Sequence, residues 1–205
     1  MKLNWAERWV VNNPLRVFGQ RLEIRRLKKM HSLKPGFVAL EIGCGRGAGA
    51  GLLLKEFQPS RVLALDLDPR MIRKAQDYLS TQEKQRIFLM AGDAVRLPLK
   101  TATVEAVFGF GVLHHAVDWR SVLVEITRVL KPGGVFFMEE FYPALYQNFL
   151  TRRLLVHPEE DRFSGPDLRR ALTGVALDLR KVVEFERIGI LGVAVKDQQL
   201  TGKAF

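Results

Sequence analysis

The sequence predicts an α/β protein built on a doubly wound, mixed sheet with helices on both faces, and three observations carry that expectation. Apolar, β-rich runs alternate with segments of helical spacing, the pattern of a parallel sheet covered on both sides. The first run opens directly into five glycines at alternating positions, Gly43, Gly45, Gly47, Gly49 and Gly51. Between the last two runs stand only Ile188 and Gly189, which suits a hairpin and is far too short for a parallel crossover.

Taken in order, residues 1–34 hold nine basic side chains against two acidic ones, Glu7 and Glu23. Trp5 and Trp9 are four apart, and Leu15, Phe18, Leu22 and Met30 fall near one helical stripe, so this arm reads as a basic amphipathic helix. Strands are expected at 37–42, 61–65, 86–90, 103–108 and 134–138, then at 178–187 and 190–195. Between them, helices are expected at 48–56, at 69–78 with Asp68 as cap and Pro69 at the first turn, and at 119–130, stopped by Lys131-Pro-Gly-Gly134. A last helix at 165–173 follows Ser164. The organisation is one domain: an arm (1–34), a core (36–141), and a C-terminal part (142–205) with a lid, the last helix and the hairpin.

Composition narrows the function classes. With 205 residues, no apolar run reaches a membrane-spanning length and the start MKLNWAERW lacks a signal-peptide core, so a cytoplasmic protein is expected. The single cysteine, Cys44, excludes an intrachain disulfide and a cysteine-based metal cluster. A net charge of +10 favours polyanionic partners, either nucleic acid or an anionic membrane face.

A strand ending in glycines that turn into a helix gathers free N–H groups and the positive helix end at the carboxyl edge of the sheet, open to close approach by a ligand. Asp66, 23 positions after Gly43 at the end of the second strand, is placed to accept from both hydroxyls of a ribose. Gly43-x-Gly45-x-x-Ala48 is also compatible with a dinucleotide site, which keeps an NAD-dependent oxidoreductase as an alternative. Two carboxylates favour another ligand. Asp93, after the third strand, can accept from the exocyclic amine of adenine. Glu41, just before the glycines, suits a sulfonium or ammonium cation better than a pyrophosphate.

With these residues in view, the segment from about 36 to 141 resembles the class I S-adenosylmethionine-dependent methyltransferases, of the broad group that includes quinone-biosynthesis C-methyltransferases and small-molecule methyltransferases. Glu41-Ile-Gly-Cys-Gly-x-Gly47, Asp66 with Asp68-Pro69 and Met71, Gly92-Asp93-Ala94 with Leu97-Pro98, Val112-Leu-His-His115 and Leu130-Lys-Pro-Gly-Gly134 carry the resemblance. It implies a Rossmann-like seven-stranded sheet in order 3-2-1-4-5-7-6 with strand 7 antiparallel, and S-adenosylmethionine as cofactor. It further implies that Gly43, Cys44, Gly45 and Gly47 hold the methionine part with Glu41 near its ammonium, that Asp66 binds the ribose, and that Asp93 and Ala94 meet the adenine, with Leu67, Met71 and Gly109 also on the cofactor. The chain departs from the family at Glu105, where Asp is common, and it lacks the Asn/Asp-Pro-Pro-Tyr element of adenine and glutamine N-methyltransferases.

His114 and His115 are the candidates for a general base, His115 preferred, against a reading in which both shape the loop. No third ligand at a recognisable spacing supports a metal. Glu139 and Glu140 follow the fifth strand and read as solvated carboxylates at the mouth, with substrate orientation as the other use; Cys44 reads as a small spacer. The acceptor is expected to be a small, amphiphilic or lipid-like molecule, with the arm and the stretch 141–163 either packing as a lid or meeting an anionic membrane surface. RNA is the alternative acceptor, and a non-catalytic S-adenosylmethionine binder the third class.

Overall fold

The computed structural model describes residues 14–146 and 162–198. The expectations for Trp5, Trp9, Phe149, Leu150, Arg152 and Arg153 lie outside the described residues. In chain order the elements are α1 (Pro14–Met30), β1 (Val38–Ile42), α2 (Ala48–Glu56), β2 (Arg61–Asp66), α3 (Pro69–Tyr78), α4 (Thr81–Lys84), β3 (Ile87–Ala91) and β4 (Val104–Phe110). After a single 3-10 turn at Leu113–His115 come α5 (Trp119–Val129), β5 (Leu130–Phe141), α6 (Pro143–Tyr146), α7 (Gly165–Gly174), β6 (Leu177–Phe185) and β7 (Gly189–Lys196). The seven strands form one sheet in the order β3-β2-β1-β4-β5-β7-β6, with β7 antiparallel to both neighbours.

Strand alternation divides the core into two layers. Leu40, Val107 and Phe136 face α5 and α7, where Trp119, Leu123 and Leu168 close the layer. Their chain neighbours Ala39, Phe108 and Phe137 face α1 and α2, meeting Ile24, Leu27, Leu53 and Phe57. Phe108 and Phe137 stack at 4.7 Å, and Phe57 stands edge-on to both. Caps set the helix starts: Asp68 accepts from Arg70 N, as the sequence suggested, and Asp118 accepts from Ser121 N and Ser164 from Asp167 N. Glu105, the departure from the family pattern, sits at the amino end of β4, where it accepts from Val38 N at 2.8 Å and Lys131 Nζ at 2.5 Å. It ties β1, β4 and β5 together away from the carboxyl edge.

Four expectations are corrected. The fifth strand is longer than 134–138, because Lys131–Gly134 are absorbed as a register shift between the Val104–Leu130 and Ala106–Val135 pairs. The hairpin turn is Glu186–Ile188, since Gly189 already pairs with Phe185 and Phe141. A Cβ at Gly189 would lie 2.1 Å from Glu140 O, which leaves no room there for a side chain. The short α4 was missed, although Ser80 and Glu83 form a capping box that marks its start. In α1, Leu15, Phe18 and Leu22 are exposed, and the packed stripe is Ile24 and Leu27. Much of the arm's charge is spent internally: Arg21 and Arg25 both bond Glu56 Oε1, and Lys28 reaches Glu56 O, holding α1 on the end of α2. Among the described residues no helix is long and apolar enough to cross a membrane.

Candidate functional site

The carboxyl ends of β1, β2 and β4 bring the candidate residues together. After β1 the chain turns on Gly43, Gly45 and Gly47, all at positive φ (72°, 53° and 84°), a region that L side chains avoid. Gly43 N and Cys44 N both donate to Leu65 O, which fixes the loop against β2. Asp66 then holds the loop from the other side: Oδ2 accepts from Gly45 N at 2.8 Å and Oδ1 from Asp68 N at 2.9 Å. A carboxylate offers about four lone-pair sites, so two remain for a ribose diol. Burial raises the Asp66 pKa while those two N–H groups pull it down.

Gly49 answers a different need. It is helical, and a Cβ there would lie 1.9 Å from Glu41 Oε1 and 2.8 Å from Gln20 Nε2. The missing side chain is the space that the Glu41 carboxylate fills. Glu41 is buried, and desolvation, reinforced by the charge of Asp66, pushes it up to about 8 against an N–H donated by Ala50. Its Oε2 has no hydrogen-bond partner. A buried carboxylate with an idle oxygen, set beside a glycine loop, fits the ammonium of S-adenosylmethionine. Gly49→Ala is expected to cost about 1–3 kcal/mol of stability by forcing Glu41 aside, measured as a lower urea midpoint at unchanged slope.

The adenine candidates lie next to Asp66. Ala91 pairs with Asp66, and Gly92 N donates to Asp66 O at 3.0 Å. Asp93 is exposed and Ala94 half-buried, with Asp93 Oδ1 accepting from Val95 N. Leu67 is exposed while Met71 is buried. Gly109 pairs with Ile42 inside the sheet and is buried, and its Cβ position faces Phe136. Cys44 turns its thiol into the core with Leu53 and Phe57, where burial raises its pKa, and its N–H and carbonyl are bonded to Leu65 O and Gly47 N within the protein. Arg46, not foreseen, leaves the loop to lie over the Tyr78 ring at 4.8 Å.

The loop after β4 is built around Glu140, and here the expectation of solvated carboxylates is overturned. Glu140 is fully buried and accepts from Val112 N (3.0 Å), Leu113 N (2.8 Å) and His114 N (3.2 Å), with His114 Nδ1 at 2.8 Å. An ionised carboxylate only accepts, so Nδ1 carries the proton that it donates. His114 is thereby a loop-shaping residue, its carbonyl receiving Arg162 Nη1 at 2.5 Å. His115 is half-buried, its ring 4.3 Å from that of His114. Val112 Cγ2 stands 3.0 Å from the Cβ position of Gly43, so this loop abuts the glycine loop. Among the described residues no cluster of three or more metal-binding side chains occurs.

Glu139 is buried too, on the other face of β5. Arg16 of α1 bridges to it, with Nη2 at 2.6 Å from Glu139 Oε2 and Nη1 at 2.8 Å from Glu23 Oε2. Burial raises the Glu139 pKa and the guanidinium opposes the rise. Beyond the histidine loop, a cleft is lined by Tyr142, Arg162, Phe163, Arg169 and Glu184, with Tyr142 and Arg169 both bonded to Glu184.

Residues 40–138 match the family model described as a methyltransferase domain. Similar curated proteins include demethylmenaquinone methyltransferase of Lactococcus lactis, 35% identical over 59% of this chain and 48% of that protein. A sterol 24-C-methyltransferase of Gibberella zeae is 31% identical over 53% of this chain and 29% of its own length. The chain thus spans less than half the length of these relatives. Among solved structures, an S-adenosylmethionine-dependent methyltransferase of Aquifex aeolicus shares the fold at a TM-score of 0.73, with 20% identity over 95% of this chain and 99% of that one.

Proposed function

We propose that this chain, whose residues 40–138 match a methyltransferase domain, is an S-adenosylmethionine-dependent enzyme that transfers a methyl group to a small, amphiphilic or lipid-like acceptor. The observation that carries the reading is the buried Glu41 oxygen left idle beside three positive-φ glycines, with Asp66 fixed across the same loop. When bound, S-adenosylmethionine supplies an electrophilic methyl on a sulfonium. Glu41 pairs with the ammonium of the ligand, Asp66 accepts from its ribose hydroxyls, and Asp93 accepts from its adenine amine. The protein's part in the reaction is positioning and exclusion of water, so a dedicated base is needed only if the acceptor must lose a proton. His115 is our candidate for that role, with His114 and Glu140 keeping its loop in shape.

The lipid-like acceptor draws support from the sterol and demethylmenaquinone methyltransferases among the relatives. RNA is favoured only by the net charge of +10. Against it, Arg16, Arg21, Arg25 and Lys28 are all engaged within the protein.

Calorimetric titration with S-adenosylhomocysteine and with NAD tests the reading. S-adenosylhomocysteine is expected to bind, and Asp66→Ala to weaken it tenfold or more, about 1.4 kcal/mol or more. Binding of NAD in its place would overturn the assignment. Transfer of labelled methyl into a lipid extract, with none into RNA, is the expected result for the acceptor.

A further inference from the structure

The inward face of α1 changes character where the helix reaches the carboxyl edge of the sheet. Ile24 and Leu27, on its C-terminal half, are buried in the core. Toward the N-terminus the same face carries Gln20 and Arg16 at helical spacing, both half-buried. Polar side chains turned inward need partners, and Arg16 has them in Glu139 and Glu23. Gln20 is different: among the described residues no hydrogen bond engages its amide. Its Nε2 and Glu41 Oε1 flank one point, 2.8 Å and 1.9 Å from the Cβ that Gly49 lacks. The idle Glu41 Oε2 belongs to that same carboxylate. Gly49 lies in the first turn of α2, which presents the positive end of the helix dipole and N–H groups without intrahelical partners, one of them, Ala50, already serving Glu41. A buried carboxylate with an unused oxygen takes a cation, while an unengaged amide beside a helix start takes an anion. Together they match the two ends of an amino-acid zwitterion.

The other charged groups on this side leave the anion no better place. Asp66 is a carboxylate and already holds the glycine loop through Gly45 N. Glu23 and Glu139 share Arg16, so that guanidinium is spent. Glu41 Oε2 is also closed to solvent, which means that a ligand reaches it by moving a neighbour. The glycine loop is pinned to β2 by Leu65 O and Asp66, whereas the long, unbonded Gln20 side chain is free to turn. We propose that Gln20 completes the amino-acid end of the cofactor site: its amide donates to the carboxylate of the methionine part while Glu41 holds the ammonium. Gln20 stands outside residues 40–138, so the matched domain takes this donor from the helix laid over it. The inference rests on the S-adenosylmethionine reading and names a binding residue which that reading leaves open.

Calorimetric titration of the full chain with three ligands tests it. S-adenosylhomocysteine has both groups, its decarboxylated analogue keeps only the amine, and methylthioadenosine lacks both. Gln20→Ala is expected to weaken S-adenosylhomocysteine about tenfold, the worth of one hydrogen bond to a charged group, and to leave the other two ligands within about twofold of the parent. Gln20→Leu, which keeps the length of the side chain and removes the donor, should do the same. Both replacements are good helix formers at a half-buried position, so the fold is retained. Glu41→Gln, by contrast, should weaken S-adenosylhomocysteine and the amine together and spare methylthioadenosine. Equal losses for S-adenosylhomocysteine and the amine in Gln20→Ala would overturn the proposal, because Gln20 would then act only by holding Glu41. Unchanged S-adenosylhomocysteine affinity in both Gln20 variants would also overturn it, with the cofactor reading left standing. Silence of the parent toward all three ligands would remove the cofactor reading itself, and this assignment with it.

Discussion

Glu140→Ala is expected to lower the folding free energy by about 3–5 kcal/mol, the largest single effect in the molecule. The carboxylate is fully buried and serves four donors at once: the N–H groups of Val112, Leu113 and His114, and the ring of His114. Truncation leaves those donors in a site closed to water, where each unmade bond carries its full desolvation cost. The loss falls on function as well as stability, because Val112 abuts Gly43 and a loosened loop no longer fixes the cofactor side of the site. Urea unfolding measures the first part, as a fall in midpoint with the slope retained. Because a loss of that size approaches the whole stability of many domains, Glu140→Gln is the companion variant. Its amide oxygen still accepts, but its NH2 group opposes one of the donors, so an intermediate loss is expected. A change below about 1 kcal/mol for Ala would show that the loop is held by something other than this carboxylate.

The same residue shows where the sequence stops being legible. The glycine loop, Asp66 and Asp93 could be placed from sequence because each depends on local signals: a strand, a turn that needs positive φ, a helix start. The sheet order came with the family resemblance and the antiparallel edge from the short hairpin, so both were in reach. The fate of Glu139 and Glu140 was not. Two adjacent carboxylates at a strand end read as solvated, and their burial is decided by partners 123 and 26 to 28 positions away. No periodicity carries that information. For α1 the difficulty is different: two apolar stripes are present, and spacing alone does not say which one packs. Ile24 and Leu27 are the pair that packs, and Arg21, Arg25 and Lys28 turn toward Glu56 at the end of α2 in the same orientation of the helix.

Glu41→Gln is expected to flatten the pH dependence of both stability and ligand binding. In the ligand-free protein burial and the nearby Asp66 lift Glu41 from about 4.5 to about 8. A carboxyl group raised in the folded state binds its proton more tightly there than in the unfolded chain. Its contribution is therefore fully present below the unfolded value near 4.5 and is lost as pH rises through about 8. Within that window the loss runs at up to about 1.4 kcal/mol per pH unit, and the variant, with no proton to release, should lack it. Glu139 is also raised to about 8, so the wild-type slope contains both groups, and the difference between wild type and variant isolates Glu41. Binding has the opposite sign. An ammonium pairs with the ionised form, so affinity for S-adenosylhomocysteine should climb as pH rises toward 8, by at most about tenfold per unit, and show proton release on calorimetry in buffers of different ionisation enthalpy. A variant that keeps the wild-type slope in both measurements would place the titration elsewhere. A variant that loses the stability slope but keeps the binding slope would mean that Glu41 is buried for the fold alone and that the ammonium has another partner.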